Sequence, residues 1–232
     1  MSTVLERTVL QHAVQINTGK TVLEADLVVP GNPKGVVLFC HGSDTTRASV
    51  RNRRVAGMLQ EAGLATLLVD LLTPAEAGDA EVLQGMRYDI DVLGERVVHA
   101  IDWIGHSPYV SDLGVGCLGA GAGAAAALIA SVARPEEVRA VVSRGGRPDL
   151  AGAYLGRVTA PTLLVVGCNN HELVELNRLA FRVLGDIEKR IDVLPDSKHL
   201  FDEPDALEEA SELTAEWFVR HLDHFRLPKY RW

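Results

Sequence analysis

From residue 36 onward the chain alternates two textures, and that alternation constrains its fold more than any other feature. Short continuous apolar runs at 36–39, 65–69, 115–118, 140–142, 162–166 and 190–194 are separated by segments of helical period at 52–61, 90–104, 122–133, 173–184 and 206–221. Short continuous apolar runs of three to five residues suit strands covered on both faces. Strand and helix in strict alternation imply right-handed crossovers and a mostly parallel sheet with helices on both sides. Two earlier segments, 8–16 and 21–29, carry alternating or β-branched apolar residues about Asn17-Thr18-Gly19 and predict an antiparallel hairpin leading into that sheet. With 232 residues and no repeat or low-complexity linker, one α/β domain over 1–232 is the expectation.

Composition narrows the partners. A formal charge of −8, from 23 Lys and Arg against 31 Asp and Glu, disfavours nucleic acid and anionic lipid and points to a small-molecule ligand. No apolar run reaches the roughly 20 residues of a membrane span. The opening MSTVLERT is polar where a secretory leader is apolar, so cytoplasmic residence is expected. Cys40, Cys117 and Cys168 cannot all pair and predict free thiols. The eight histidines lack zinc-site spacing, so neither a metal nor another cofactor is expected, while a homodimer is compatible with the sequence.

In open α/β sheets, ligands sit beyond the carboxyl ends of the strands. The chemistry-bearing blocks fall there: Cys40-His41-Gly42-Ser43-Asp44, Gly119-Ala120-Gly121-Ala122-Gly123, Ser143-Arg144-Gly145-Gly146-Arg147, Gly167-Cys168-Asn169-Asn170 and Asp196-Ser197-Lys198-His199. In this order the five blocks resemble the dienelactone-hydrolase family of α/β-hydrolases over essentially the whole chain. The resemblance implies the α/β-hydrolase fold and an elbow of the form G-x-S-x-G, whose strained turn holds a serine oxygen clear of the sheet. Here the serine position is Gly121, the triad-acid position is Asn170, and only His199 stands where the family has its histidine. The resemblance further implies an oxyanion site made of backbone, from the amide of Ala122 and one in the Gly42-Ser43 stretch, which survives loss of side chains.

Asparagine can orient an imidazole but gives no negative charge, and in serine proteases the equivalent change costs about 10⁴ in rate. Glu172 and Glu203 are the candidates nearest in sequence for a replacement carboxylate. His41, Asp44, Arg47 and Arg144 are expected to contact substrate, the arginines as a fork for an anion. The stretch 73–87 is expected as an irregular lid. Together these residues predict a non-hydrolytic enzyme performing elimination, cyclisation or isomerisation on a small organic molecule. An inert binding protein and a hydrolase using activated water or a substitute cysteine are the alternatives. The run Gly119 to Ala124 also fits G-x-G-x-x-A, which keeps a dinucleotide-binding turn open.

Overall fold

A computed structural model of the chain describes residues 9–42, 45–195, 197, 201 and 203–223. Eight strands form one sheet in the order β1-β2-β4-β3-β5-β6-β7-β8. The hairpin β1 (Leu10–Asn17) and β2 (Val22–Val29) is antiparallel, and β2 pairs antiparallel with β4 (Ala65–Val69). All remaining pairings are parallel, through β3 (Val36–Cys40), β5 (Val115–Gly121), β6 (Val138–Gly146), β7 (Thr162–Gly167) and β8 (Lys189–Leu194). Every residue of β3, β4 and β7 is buried, as strands covered on two faces require.

Helices α1 (Val50–Glu61) and α7 (Pro204–Leu222) cover one face, packing on Val37, Phe39, Leu118 and Val142. Helices α4 (Ile90–His106) and α5 (Gly123–Ala133) cover the other, over Leu38, Cys40, Cys117 and Val141. Helix α6 (His171–Val183) adds Ala180 to this second core. Adjacent residues of one strand thus feed different cores, so a core of this type depends on the two-residue period of each strand. No helix among the described residues is long and apolar enough to cross a membrane.

The stretch expected as irregular is instead two short helices, α2 (Pro74–Gly78) and α3 (Ala80–Met86). Their start signals are present in the sequence: Thr73, Pro74 and Glu76 make a capping box, and Asp79 accepts from the amides of Glu81 and Val82. What is missing is an apolar period, because neither helix has a fully buried residue. A charged clamp holds them. Arg96, buried in α4, donates to both Glu76 oxygens at 2.6 and 2.8 Å and to the carbonyl of Leu71. A second segment absent from the sequence reading, a 3-10 stretch at Pro148–Arg157, turns at Gly152 with φ 51°.

The hydrogen bond from Arg96 holds the Glu76 carboxyl down to about 2. A depressed acid stabilises the fold above its unfolded pKa and loses that contribution as pH falls through the folded value. Glu76→Gln should therefore lower stability by about 1–3 kcal/mol at neutral pH. In urea titrations the parent's advantage should shrink between the ordinary carboxylate range and about pH 2; a constant difference across that range would refute the clamp.

Candidate active site

Strand β5 runs through Gly121 and passes at Ala122 directly into α5. Two glycines permit the turn by close approach. A Cβ on Gly123 would be driven into the carbonyl oxygen of Cys40, and one on Gly119 into the backbone of Ala124. Gly121 differs from both. Its φ is +54°, a conformation L side chains rarely adopt, and a Cβ there would meet nothing within 4 Å. The elbow therefore keeps its strained shape and an open space above it, but carries no side chain into that space. The Gly121 carbonyl accepts from the amide of Arg147 at 2.9 Å, which ties the turn to the end of β6.

Above the elbow lies a cavity of about 270 Å³. Gly42, Gly121 and Ala122 form its floor. Ala122 begins α5 with no side-chain cap, so the positive end of the helix faces the cavity through main chain alone. Gly42 stands beside it, where a Cβ would lie 3.8 Å from the Ala122 nitrogen. Gly42 and Ala122 are thus neighbours on the cavity floor. Ser43, Asp44 and His199 lie outside the described residues.

Asn170 reaches the cavity wall and caps α6, its Oδ1 accepting from the Leu173 amide at 3.0 Å. Asparagine and aspartate cap helices about equally well, so the charge can be lost here without loss of the helix start. Glu172 also lines the cavity and Glu203 does not. The wall also contains Arg87, Tyr88, Arg147, Leu173 and Leu176, none of them among the expected site residues. Arg147, the other basic residue of the wall, is fixed by a bidentate pair with Asp149 at 2.7 and 2.8 Å, which raises its guanidinium further.

Three of the residues expected to contact substrate do not line this cavity. Arg47 is bound by Asp70, by Glu24 at 2.7 Å and by Asp26 at 3.4 Å, and its amide donates to Asp70 at 2.7 Å. It staples the loop after β3 to β2 and β4. His41 is 4% exposed, with Nε2 3.6 Å from Asp70, and burial pushes its imidazole below the ordinary value. Arg144 is 4% exposed, and burial together with the like charge of Arg51 in α1 lowers its guanidinium. None of the three lines the cavity. The parity of β6 separates the two arginines: Arg144 shares the α1 face with Val142, while Arg147 lies past the Gly145-Gly146 end and comes free to reach the cavity. Cys40 and Cys117 are buried, and Cys168 donates to Asn169 Oδ1 at 3.4 Å. Among the described residues no group of three or more His, Cys, Asp or Glu side chains gathers to hold a metal ion.

A dienelactone hydrolase from Anabaena variabilis ATCC 29413, known from its crystal structure, is 46% identical and superposes with a TM-score of 0.88, covering 92% of this chain and 99% of that one. A dienelactone-hydrolase-like promiscuous phosphotriesterase from metagenomic libraries is 20% identical with a TM-score of 0.75, over 92% and 99% of the two chains, a likeness of fold. Two proteins from strains of Mycobacterium tuberculosis, named provisionally as phosphoribosyl transferases, are 46% identical over 209 residues and 90% of this chain. The chain spans about half of their length, 46%. No family model matches.

The elbow geometry orders two substitutions. Gly123→Ala should cost more than about 3 kcal/mol, because the added carbon meets backbone that cannot yield. Gly121→Ala meets open space and pays only for its φ, about 1–2 kcal/mol. Chemical denaturation of both variants checks the order, and equal costs would contradict it.

Proposed function

Because the chain belongs to the dienelactone hydrolase family of α/β-hydrolases and yet presents Gly121 at its elbow, we propose that it is a non-hydrolytic enzyme acting on a small organic molecule. The observation that carries this reading is the open space above a preserved elbow: the turn that elsewhere delivers an attacking oxygen delivers none. Without that oxygen no acyl-enzyme can form at this position. What the elbow still offers is backbone amides at the head of α5, beside Gly42, suited to negative charge developing on a carbonyl oxygen.

The chemistry that fits is removal of a proton from the carbon next to a carbonyl. The carbonyl becomes an enolate held by the amides of Ala122 and the Gly42-Ser43 stretch. The enolate then expels a β substituent, closes a ring or takes the proton back elsewhere, giving elimination, cyclisation or isomerisation. His199, by its place in the family order, is the group that moves the proton, and Asn170 contributes orientation without charge. A cavity of about 270 Å³ admits a compact substrate, at the lower end of ordinary ligand sites. The phosphoribosyl transfer in the name of the longer relatives belongs, on this reading, to the rest of their length, since this fold accounts for 46% of them.

Two measurements test the proposal. A fluorophosphonate probe should leave the parent unmodified by intact mass, while the double variant Gly121→Ser with Asn170→Asp should gain one adduct; labelling of the parent would instead favour hydrolysis by a substitute nucleophile. Enolisable lactones and 2-oxo acids in heavy water should exchange their α-protons with the parent, and His199→Ala should slow exchange by about 10²–10⁴. Ligands that bind by saturation-transfer NMR yet never exchange would leave an inert binding protein.

A further inference from the structure

The charged groups around the elbow cavity are unevenly matched. Three charged residues line it: Arg87, Arg147 and Glu172. Arg147 is satisfied within the wall, since its Nε and Nη2 both donate to the Asp149 carboxylate. Arg87 is engaged as well, with its guanidinium 5.9 Å over the ring of Tyr88. Glu172 is the exception. It is exposed in the first turn of α6, two residues after the cap Asn170, and among the described residues its carboxylate has neither a hydrogen bond nor an ion pair.

Its position relative to Arg147 shows why. The Arg147 guanidinium is raised first by its hydrogen bonds to Asp149, and more weakly by the field of Glu172. The two side chains are close enough to feel each other, yet the fork that would bind Glu172 is filled by Asp149. A count of arginines would make this cavity an anion site. Pairing reverses that reading: the charge left over is negative, and it faces the same space as the Ala122 and Gly42 main chain, with the apolar Leu173 and Leu176 on the same wall. The field at a helix start explains why α6 accommodates an acid in its first turn, but no group among the described residues pairs with that acid.

We infer that Glu172 is a substrate subsite, and that the small carbonyl compound accepted by this cavity carries a protonated amine. The inference rests on the proposed placement of the carbonyl oxygen at the elbow amides. From there the carbon skeleton runs along Leu173 and Leu176, and the ammonium donates to the Glu172 carboxylate. A charge-assisted bond of this kind is roughly twice as strong as a neutral one, so an amine gains more here than a hydroxyl. A carboxylate in the same place would meet Glu172 as a like charge.

Ligand-observed NMR titration of the full chain with three lactones tests the subsite: γ-butyrolactone, its α-amino derivative below the pKa of the amine, and its γ-carboxylate. The amino lactone should bind the parent about five- to tenfold tighter than γ-butyrolactone, and the carboxylate more weakly than either. Glu172→Gln should bind the amino and plain lactones equally, with its affinity for γ-butyrolactone unchanged. A parent without preference for the amine, a carboxylate that binds tightest, or a preference that survives in Glu172→Gln overturns the subsite, as does failure of all three to bind. Loss of γ-butyrolactone binding in Glu172→Gln overturns it too, since Glu172 would then shape the cavity and not select its ligand. Exchange of α-protons in heavy water separates this inference from the reaction proposed above. Exchange without an amine preference overturns the subsite alone, whereas an amine preference without exchange supports the subsite and counts against the catalytic reading.

Discussion

The closest packing at the functional end of the molecule is main chain against main chain. Helix α5 enters so near the end of β3 that Gly123 sits against the Cys40 carbonyl, and Gly119 sits under Ala124. Contacts of this kind cannot be relaxed by a side-chain rotation, so they fix the head of α5 relative to the loop that begins at His41. The Gly42 backbone and the Ala122 amide are neighbours for that reason alone. Any chemistry at this site inherits a donor geometry set by packing.

Around this rigid centre the loops are held by charge. Arg47 gathers Asp70, Glu24 and Asp26 from two strands, and Arg96 gathers Glu76 and the Leu71 carbonyl. In both cases an arginine stands in for apolar burial: α2 and α3 have no fully buried residue of their own, and the loop after β3 runs through polar sequence. A bidentate arginine is suited to this because its fork fixes direction as well as distance. The same residue type in a row of four, Arg47, Arg51, Arg53 and Arg54, thus serves structure at its first member, whatever its suitability for anions.

The sheet was legible in the sequence because both of its signals are local. Apolar runs marked β3 to β8 and a 3.6-residue period marked α1, α4, α5, α6 and α7 to within a few residues. The short helices α2 and α3 were not, because a helix that buries no face leaves no period to find, although Thr73-Pro74-Ala75-Glu76 carries the capping signature. At the site, Gly42, Gly121, Ala122 and Asn170 were found from block order, and all four line the cavity. Arg47, His41 and Arg144 were placed there because they follow strand ends, a rule that fixes which end of the sheet a residue occupies and not which face. The partners of Arg47 and His41, namely Asp70, Glu24 and Asp26, come from distant segments, and sequence spacing does not bring those together. Arg87 and Tyr88 follow directly on α3, and without an apolar period to mark that helix the sequence did not place them at the cavity.

The elbow's survival must be weighed with its cause in mind. A turn whose shape was maintained only for a nucleophile would have no reason to persist once the side chain is lost. Here Gly119 and Gly123 over-determine the turn through packing, so Gly121 inherits φ +54° whether or not anything uses it. Shape alone therefore argues neither for activity nor for decay. The discriminating features are those packing does not require: an open space over Gly121, a main-chain helix start facing the cavity, and a wall that brings Arg147, Glu172 and Asn170 around it. Groups of that kind stabilise charge without bonding to carbon, which is the property the proposed chemistry uses.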